Sequence, residues 1–298
     1  MERLDFGTVR SVTVRCLSEV AWRDNARMKR DIVEAGGFSA DQYDIRWTPG
    51  NAAGVTVLLT AEEGDGRRRN FLLDTGWDPD YVEEVFRREG IDAMLDAGEI
   101  EALIVTHEHI DHFWGVPAVV KHRPGIRVLM PAGISEKSRE LLRASGHTGE
   151  LVELPPGPHV LFPGCASVVF DTAINLQAHG EQALYFNVAG KGIVTVTGCC
   201  HPGIEALLDY AKDHFREGTI HAVYGGLHIA PFDDWGEAQE KLLDRLGGYG
   251  VARWACNHCT GLLAVRRMRE RGFPVVPGSG RHGSRSDCYL GNGDTVTF

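Results

Sequence analysis

The stretch Thr106-His107-Glu108-His109-Ile110-Asp111-His112 sets three imidazoles and the Asp111 carboxylate within six residues. It follows directly on the apolar run Ala102-Leu103-Ile104-Val105, which reads as a buried strand delivering a loop to a sheet edge. His107 and His109 are two apart, so extended backbone projects both to one side. Asp111 and His112 come after the turn and can face back across the same space. Neutral imidazoles with a carboxylate suit zinc, manganese or iron, and two such sets can hold two ions. The competing reading is a fortuitous surface cluster in a chain with 13 histidines.

Three later strand ends carry the same chemistry. Gly198-Cys199-Cys200-His201-Pro202-Gly203 follows Ile193-Val194-Thr195-Val196. Thiol and imidazole at a strand end are metal-capable. Because this placement repeats that of His107, His201 is expected as a ligand rather than as a residue that merely precedes a helix. Tyr224-Gly225-Gly226-Leu227-His228 follows Ile220-His221-Ala222-Val223. The paired glycines let the backbone approach another group closely, and His228 stands open between ligand, general acid or base, and surface residue. Cys256-Asn257-His258-Cys259-Thr260-Gly261 follows Val251-Ala252-Arg253-Trp254-Ala255. No second cysteine pair is spaced for a structural zinc site, and a redox Cys-x-x-Cys should open a helix after an early strand. His258 is therefore the expected ligand that closes a second site. In layered α/β folds ligand sites collect at strand ends, so the four constellations are expected to converge.

Two other motifs need a reading. Leu73-Asp74-Thr75-Gly76 could be the nucleophile loop of an aspartic protease, in which two such carboxylates must meet, or a turn closed by an Asx hydrogen bond. No second Asp-Thr-Gly is present, and a protease would leave His107 to His112 unexplained. Pro277-Gly278-Ser279-Gly280-Arg281-His282-Gly283 lacks the lysine and the strand-loop-helix setting of a phosphate loop. It reads as a mobile C-terminal loop, with Arg281 or His282 at the pocket.

The elements that must position these groups follow from periodicity. Strands are expected at Thr8–Leu17, Gly54–Thr60, Asn70–Leu73 and Ile126–Met130, and further on at Ser167–Phe170, Ala183–Val188, Ile193–Thr197, Ile220–Tyr224, Val251–Ala255 and Val275–Val276. The Glu-Glu-Gly-Asp-Gly turn at 62–66 makes the second and third of these a hairpin. Helices are expected at Trp22–Ala35, Asp80–Glu89, Ile204–Phe215, Glu237–Leu246 and Leu262–Arg271. Another is expected from the N-cap Ser135 toward Ala144. The Pro155-Pro156-Gly157-Pro158 run marks a connection. Two sheets packed face to face with helices outside satisfy this order, as one α/β domain over 1–298 with a helical insertion around 22–48.

Composition bounds the function. Hydrophobic residues are 43% and charged residues 24% of 298, ordinary for a globular protein with a sizeable core. A net charge of -10 argues against nucleic acid as partner, which would call for a basic patch. No apolar stretch approaches the roughly 20 residues of a membrane span. The start, Met1-Glu2-Arg3-Leu4-Asp5, is charged and has no signal-like apolar region, and seven cysteines show no disulfide framework. The expected setting is the cytoplasm and the expected partner a small-molecule substrate.

Taken together, Asp-Thr-Gly at 74–76, Thr-His-Glu-His-Ile-Asp-His at 106–112, Gly-Cys-Cys-His-Pro-Gly at 198–203, Gly-Gly-Leu-His at 225–228 and His-Cys-Thr-Gly at 258–261 resemble the metallo-β-lactamase fold superfamily. Within it they are similar to a branch of metal-dependent hydrolases related to dihydropterin–ribofuranosylaminobenzene phosphate synthase. The resemblance runs from about residue 54 to 280. It implies an αββα sandwich with one or two divalent ions at the sheet edges, zinc first, with Mn2+ and Fe2+ as alternatives. It also implies that His107, His109 and His201 hold one ion and that Asp111, His112 and His258 hold the other. Asp74 would support the site from behind. Asp111 and His228 would be the catalytic acid–base groups of a metal-assisted hydrolysis. Two departures leave choices open. Where many relatives carry a bridging Asp after Thr-Gly, this chain has Cys199, so either its thiol takes that place or no protein bridge exists. His179 competes with His201 as the third histidine. In addition, Phe113-Trp114 replaces the small residues often found there, which implies a bulkier, more apolar pocket.

Overall fold

Alternating apolar and polar residues from Val12 onward build the first strand, β1 (Ser11–Ser18), whose even-numbered side chains Val12, Val14 and Cys16 are buried. The structure, a computed structural model, describes residues 3–20, 22–51 and 53–298. Met1 and Glu2 of the charged start lie outside the described residues. β2 (Thr56–Glu62) and β3 (Arg68–Leu73) form the expected hairpin. Beside it run the parallel strands β4 (Ile100–Ile104), β5 (Arg127–Pro131) and β6 (Leu151–Leu154).

The second sheet begins with β7 (Gly157–Phe162), β8 (Cys165–Ala173) and β9 (His179–Val188), all antiparallel neighbours. It continues through β10 (Gly192–Val196), then β11 (Ile220–Gly226) and β12 (Arg253–Asn257), which run parallel to β10. β13 (Thr295–Thr297) returns to pair with β1. The orders are β13-β1-β2-β3-β4-β5-β6 and β12-β11-β10-β9-β8-β7.

Helices cover the outer face of each sheet. The first sheet carries α2 (Pro79–Glu89), α3 (Ile91–Asp96), the one-turn α4 (Ile110–Phe113), α5 (Val116–His122) and α6 (Glu136–Ala144); α1 (Asn25–Glu34) stands apart. The second carries α7 (Ile204–His214), α8 (Glu237–Gly247) and α9 (Leu262–Glu270). One apolar core lies between the sheets, joining Val14, Leu59 and Leu73 to Leu184, Val194 and Val196. A second lies under α7, α8 and α9 and a third under α2, α3 and α5. This is the αββα sandwich, and burying both faces of each sheet is what makes its central strands nearly all apolar.

The boundaries of the expected elements hold to within a few residues, with some differences. Val275–Val276 forms a single bridge to Trp254 and no strand. The Pro-rich run shrinks to Pro155-Pro156, which carries the chain from the first sheet to the second, because Gly157 already opens β7. α3, α4, β6 and β13 were not anticipated, since three to six residues are too few for a period to show. Ser135 does cap α6, accepting from the Ser138 amide at 3.2 Å. Among the described residues no helix is long and apolar enough to cross a membrane.

Candidate metal centre

β3, β4, β10, β11 and β12 all end at one edge of the sandwich, because each is parallel to its neighbour in its own sheet. Their C-terminal loops deliver Asp74, His107 to His112, Cys199 to His201, His228 and His258 to that edge. The two sheets are tied together beside it. The Gln182 amide of β9 donates to the Thr106 carbonyl at 2.9 Å, and its side chain donates to the Val105 carbonyl at 2.7 Å. Asp74, Cys200, His228 and His258 all hold positive φ, between 48° and 64°. Such backbone costs on the order of 1 kcal/mol or more per residue, and it persists where the surroundings fix it. Gly225-Gly226 gives the close approach expected: a Cβ on Gly225 would lie 1.9 Å from the Thr197 carbonyl oxygen. Gly225→Ala should therefore lower stability by about 3 kcal/mol, read as a fall in the urea midpoint at unchanged slope.

Each of the five clustered imidazoles has one nitrogen already committed to a protein acceptor. Thr106 Oγ1 donates to Asp74 Oδ2 at 2.8 Å, so toward His107 Nδ1, at 2.9 Å, it acts as acceptor. His112 Nδ1 donates to Asp74 Oδ2 at 2.7 Å, His201 Nδ1 to Glu181 Oε2 at 2.9 Å and His258 Nδ1 to the Glu19 carbonyl at 3.1 Å. His109 is held the other way round, Nε2 donating to the Asn175 carbonyl at 2.9 Å. The hydrogen-bond network thus assigns bare lone pairs to Nε2 of His107, His112, His201 and His258 and to Nδ1 of His109. Asp74 does support the site from behind, as the resemblance implied. Burial, with the neighbouring imidazoles second, holds His107 and His112 well below the ordinary imidazole pKa, and burial above all pushes His109 down to about 3. These rings are neutral, the state in which imidazole binds a metal.

The lone pairs gather around one sulfur. Cys199 Sγ is 3.1 Å from His112 Nε2 and 3.2 Å from His258 Nε2. It also lies within 4.8 Å of donor nitrogens on His107 and His201, which form a second trio with it. His107 Nε2 and His109 Nδ1 are 3.1 Å apart. Asp111 stands on the other side, 3.7 Å from His258 Nε2 and 3.9 Å from His112 Nε2. Nitrogen, sulfur and carboxylate donors at this spacing fit zinc or another borderline divalent ion, in two adjoining sets. Burial raises the Cys199 thiol well above its ordinary value, so its thiolate needs a cation beside it.

The structure separates the expected residues. His107, His109, Asp111, His112, His201 and His258 come together, and His179 does not. It is exposed and pairs with Asp171 at 2.7 Å. His228 sits at the rim, its ring 4.9 Å from that of His201 and a ring nitrogen within 4.8 Å of the Cys199 and Cys259 sulfurs. Arg281 turns away to the Gly293 carbonyl, and His282 packs against Gly293; from that loop region Arg285 and Tyr289 reach the cavity.

Three residues escaped sequence reasoning. Glu181 accepts from the Cys199, Cys200 and His201 amides at 3.1, 2.7 and 2.6 Å and so shapes the whole second loop. Its signal was a Glu-Gln pair opening the run Ala183-Leu184-Tyr185-Phe186. Cys259 lies beside Cys199, its Sγ 3.4 Å from the Cys199 carbonyl. Glu108, inside the opening motif, points away and accepts from the Ser135 amide at 2.9 Å, which anchors α6.

An αββα sandwich with a histidine-rich donor cluster at the ends of its parallel strands defines the class. The chain belongs to the metallo-beta-lactamase superfamily, whose family model matches residues 53–247. It is 23% identical over 256 residues to the 7,8-dihydropterin-6-methyl-4-(beta-D-ribofuranosyl)-aminobenzene-5'-phosphate synthase of Methanocaldococcus jannaschii, covering 73% of this chain and 84% of that protein. A solved metal-dependent hydrolase of the beta-lactamase superfamily superposes with a TM-score of 0.59 at 20% identity, over 96% of this chain and 98% of that one. Zn(2+)-bound PqqB from Methylobacterium extorquens does so with a TM-score of 0.59 at 13% identity, over 95% and 99%.

Proposed function

We propose that this protein is a metal-dependent hydrolase of a small-molecule ester, lactone, amide or phosphoester. One observation carries the reading: five imidazoles are each pinned by one nitrogen, four of them (His107, His112, His201 and His258) offer a donor nitrogen close to Cys199, and the fifth, His109, sets its free nitrogen 3.1 Å from that of His107. His107, His109 and His201 would hold one divalent ion and Asp111, His112 and His258 the other, with Cys199 between them. Zinc suits this mixed set best, with Mn2+ and Fe2+ as alternatives. Such an ion lowers the pKa of water toward about 7 and polarises a carbonyl or phosphoryl oxygen. Asp111, 3.7 Å from His258 Nε2 and 3.9 Å from His112 Nε2, orients the attacking water and takes up its proton at a carboxylate oxygen. His228, at the rim, delivers a proton to the leaving group.

His109→Ala should lose metal-dependent turnover by at least about 100-fold and bind less metal, measured by elemental analysis beside an ester and lactone panel. Full activity at full metal content in that variant would sink the assignment. The condensing reaction named for the archaeal relative is the alternative, and phosphate-dependent binding of a pterin and a phosphoribosyl arene in calorimetry would favour it. Tight metal binding with the whole panel left intact would instead mark a metal-binding protein without catalysis.

A further inference from the structure

The donor cluster forms the floor of a cavity of ≈ 890 Å³, counted out to its mouth, into which His109, Asp111, Cys199, His201, His228 and His258 all open. Its walls differ from its floor. Trp22, Met28, Ile32, Leu176, Phe232 and Leu262 come from separate stretches of chain and present apolar surface to the same space.

The roof is a built feature. Met28 and Ile32 lie on one face of α1 and are buried with Ile45 and Leu176 in a small cluster distinct from the cores under the sheets. Trp22, Trp47 and Phe232 pack against it. Asp31 fixes the returning chain, accepting from the Thr48 amide at 2.9 Å and from Thr48 Oγ1 at 3.0 Å. Gln42 then bolts the roof to the metal loop, its Nε2 donating to the Glu108 carbonyl at 3.0 Å and its Oε1 accepting from the Ile110 amide at 2.8 Å. From the other side the Leu176 amide donates to the Phe38 carbonyl at 2.8 Å, while the neighbouring Asn175 carbonyl holds His109. One frame thus holds both the metal donors and the apolar wall.

The charge lining is equally selective. Among the described residues no lysine lines the cavity, and its arginine, Arg285, donates to the Trp22 carbonyl. Its carboxylates are Glu19 and Asp111. A dianionic phosphate would find an apolar wall and acidic neighbours where it needs a cluster of cations.

We propose that the substrate is a carboxylic acyl compound, an ester, lactone or amide, whose apolar arm lies under α1 against Met28, Ile32 and Phe232. This rests on the hydrolase reading and narrows it. Burying each methylene contributes about 0.8 kcal/mol at full burial. Lengthening the arm by four methylenes should therefore tighten binding by at least about tenfold, allowing for incomplete burial.

The test uses the full chain reconstituted with zinc, with acetohydroxamic, hexanohydroxamic and benzohydroxamic acids as probes in calorimetry. Hexanohydroxamate is expected to bind at least about tenfold more tightly than acetohydroxamate, and the benzo compound shows whether an aryl arm serves as well. Phe232→Ala should shrink that ratio by about threefold or more. Because Phe232 is half-buried and outside the sheet cores, the variant is expected to keep its circular dichroism and zinc content. Equal affinities across the series, an unchanged ratio in Phe232→Ala, or phenyl phosphate binding more tightly than hexanohydroxamate would each overturn the proposal. Arm-dependent binding without cleavage of any ester would overturn the hydrolase reading and keep the pocket. Hydrolysis of short esters with no arm dependence would do the reverse.

Discussion

Cys199→Ala is expected to weaken metal binding by about 100-fold or more and to remove metal-dependent turnover altogether. Removing groups that merely orient metal ligands already costs about 10–100-fold, and Cys199 Sγ lies at the centre of the donor set. It is 3.1 Å from His112 Nε2 and 3.2 Å from His258 Nε2, and it forms the other trio with His107 and His201. Among the described residues Cys199 is the side chain common to these trios and to a third, with His228 and Cys259. Loading with Co2+ makes the prediction specific. A thiolate-to-cobalt absorption in the near ultraviolet should be present in the parent and absent from Cys199→Asp, while the carboxylate restores part of the metal content. An unchanged spectrum and full metal uptake in Cys199→Ala would show instead that this thiol is only core packing.

The second large effect falls on folding. Glu181→Ala should destabilise the protein by about 3–5 kcal/mol, because it strips the acceptor from three backbone amides and from His201 Nδ1, in a place shielded from water. Denaturant titration of chelator-treated protein would show it, and a loss below about 1 kcal/mol would contradict the role assigned here. A dependence on pH should accompany it. Burial by itself would raise the Glu181 carboxyl, but His201 and the amides outweigh burial and hold it below its ordinary 4.5. A carboxyl depressed on folding contributes stability that is fully present above pH 4.5 and lost as pH falls through the lower folded value. Parent and Glu181→Gln should therefore differ most above pH 4.5 and converge in acid.

These two residues mark the boundary of what could be read in advance. The grouping of His107, His109, Asp111 and His112 was legible because residues spaced two and one apart after an apolar strand leave little freedom in where they point. His201 and His258 were legible by the same strand-end placement, and so was the sandwich, because strands buried on both faces must be covered by helices. Cys199 was visible as a departure, but its role stayed open. Glu181 was hidden by its position at the start of β9, where a polar pair reads as the strand's end rather than as its contribution to the site. Glu108 lies inside the motif, but its carboxylate turns away and accepts from the amide of Ser135, the residue that caps α6. The segment from Trp22 to Thr48 read as an insertion, and nothing in its sequence said that Met28 and Ile32 would roof the centre.

Local physics accounts for the first group of outcomes. Periodicity fixes which side of a strand or helix a residue takes, and side-chain chemistry fixes what it can bind. Both are properties of a few adjacent residues. The rest depends on contacts that span the chain. Cys199 meets His112 across 87 positions and His258 across 59, and His258 is oriented by a carbonyl 239 positions away. Only the packing of two sheets against one another brings such groups within 3–4 Å, chooses which imidazole nitrogen is left bare, and closes an apolar roof above them. The sequence by itself determined which residues have metal-capable chemistry, and the tertiary structure decided which of them lie together and what can lie beside them.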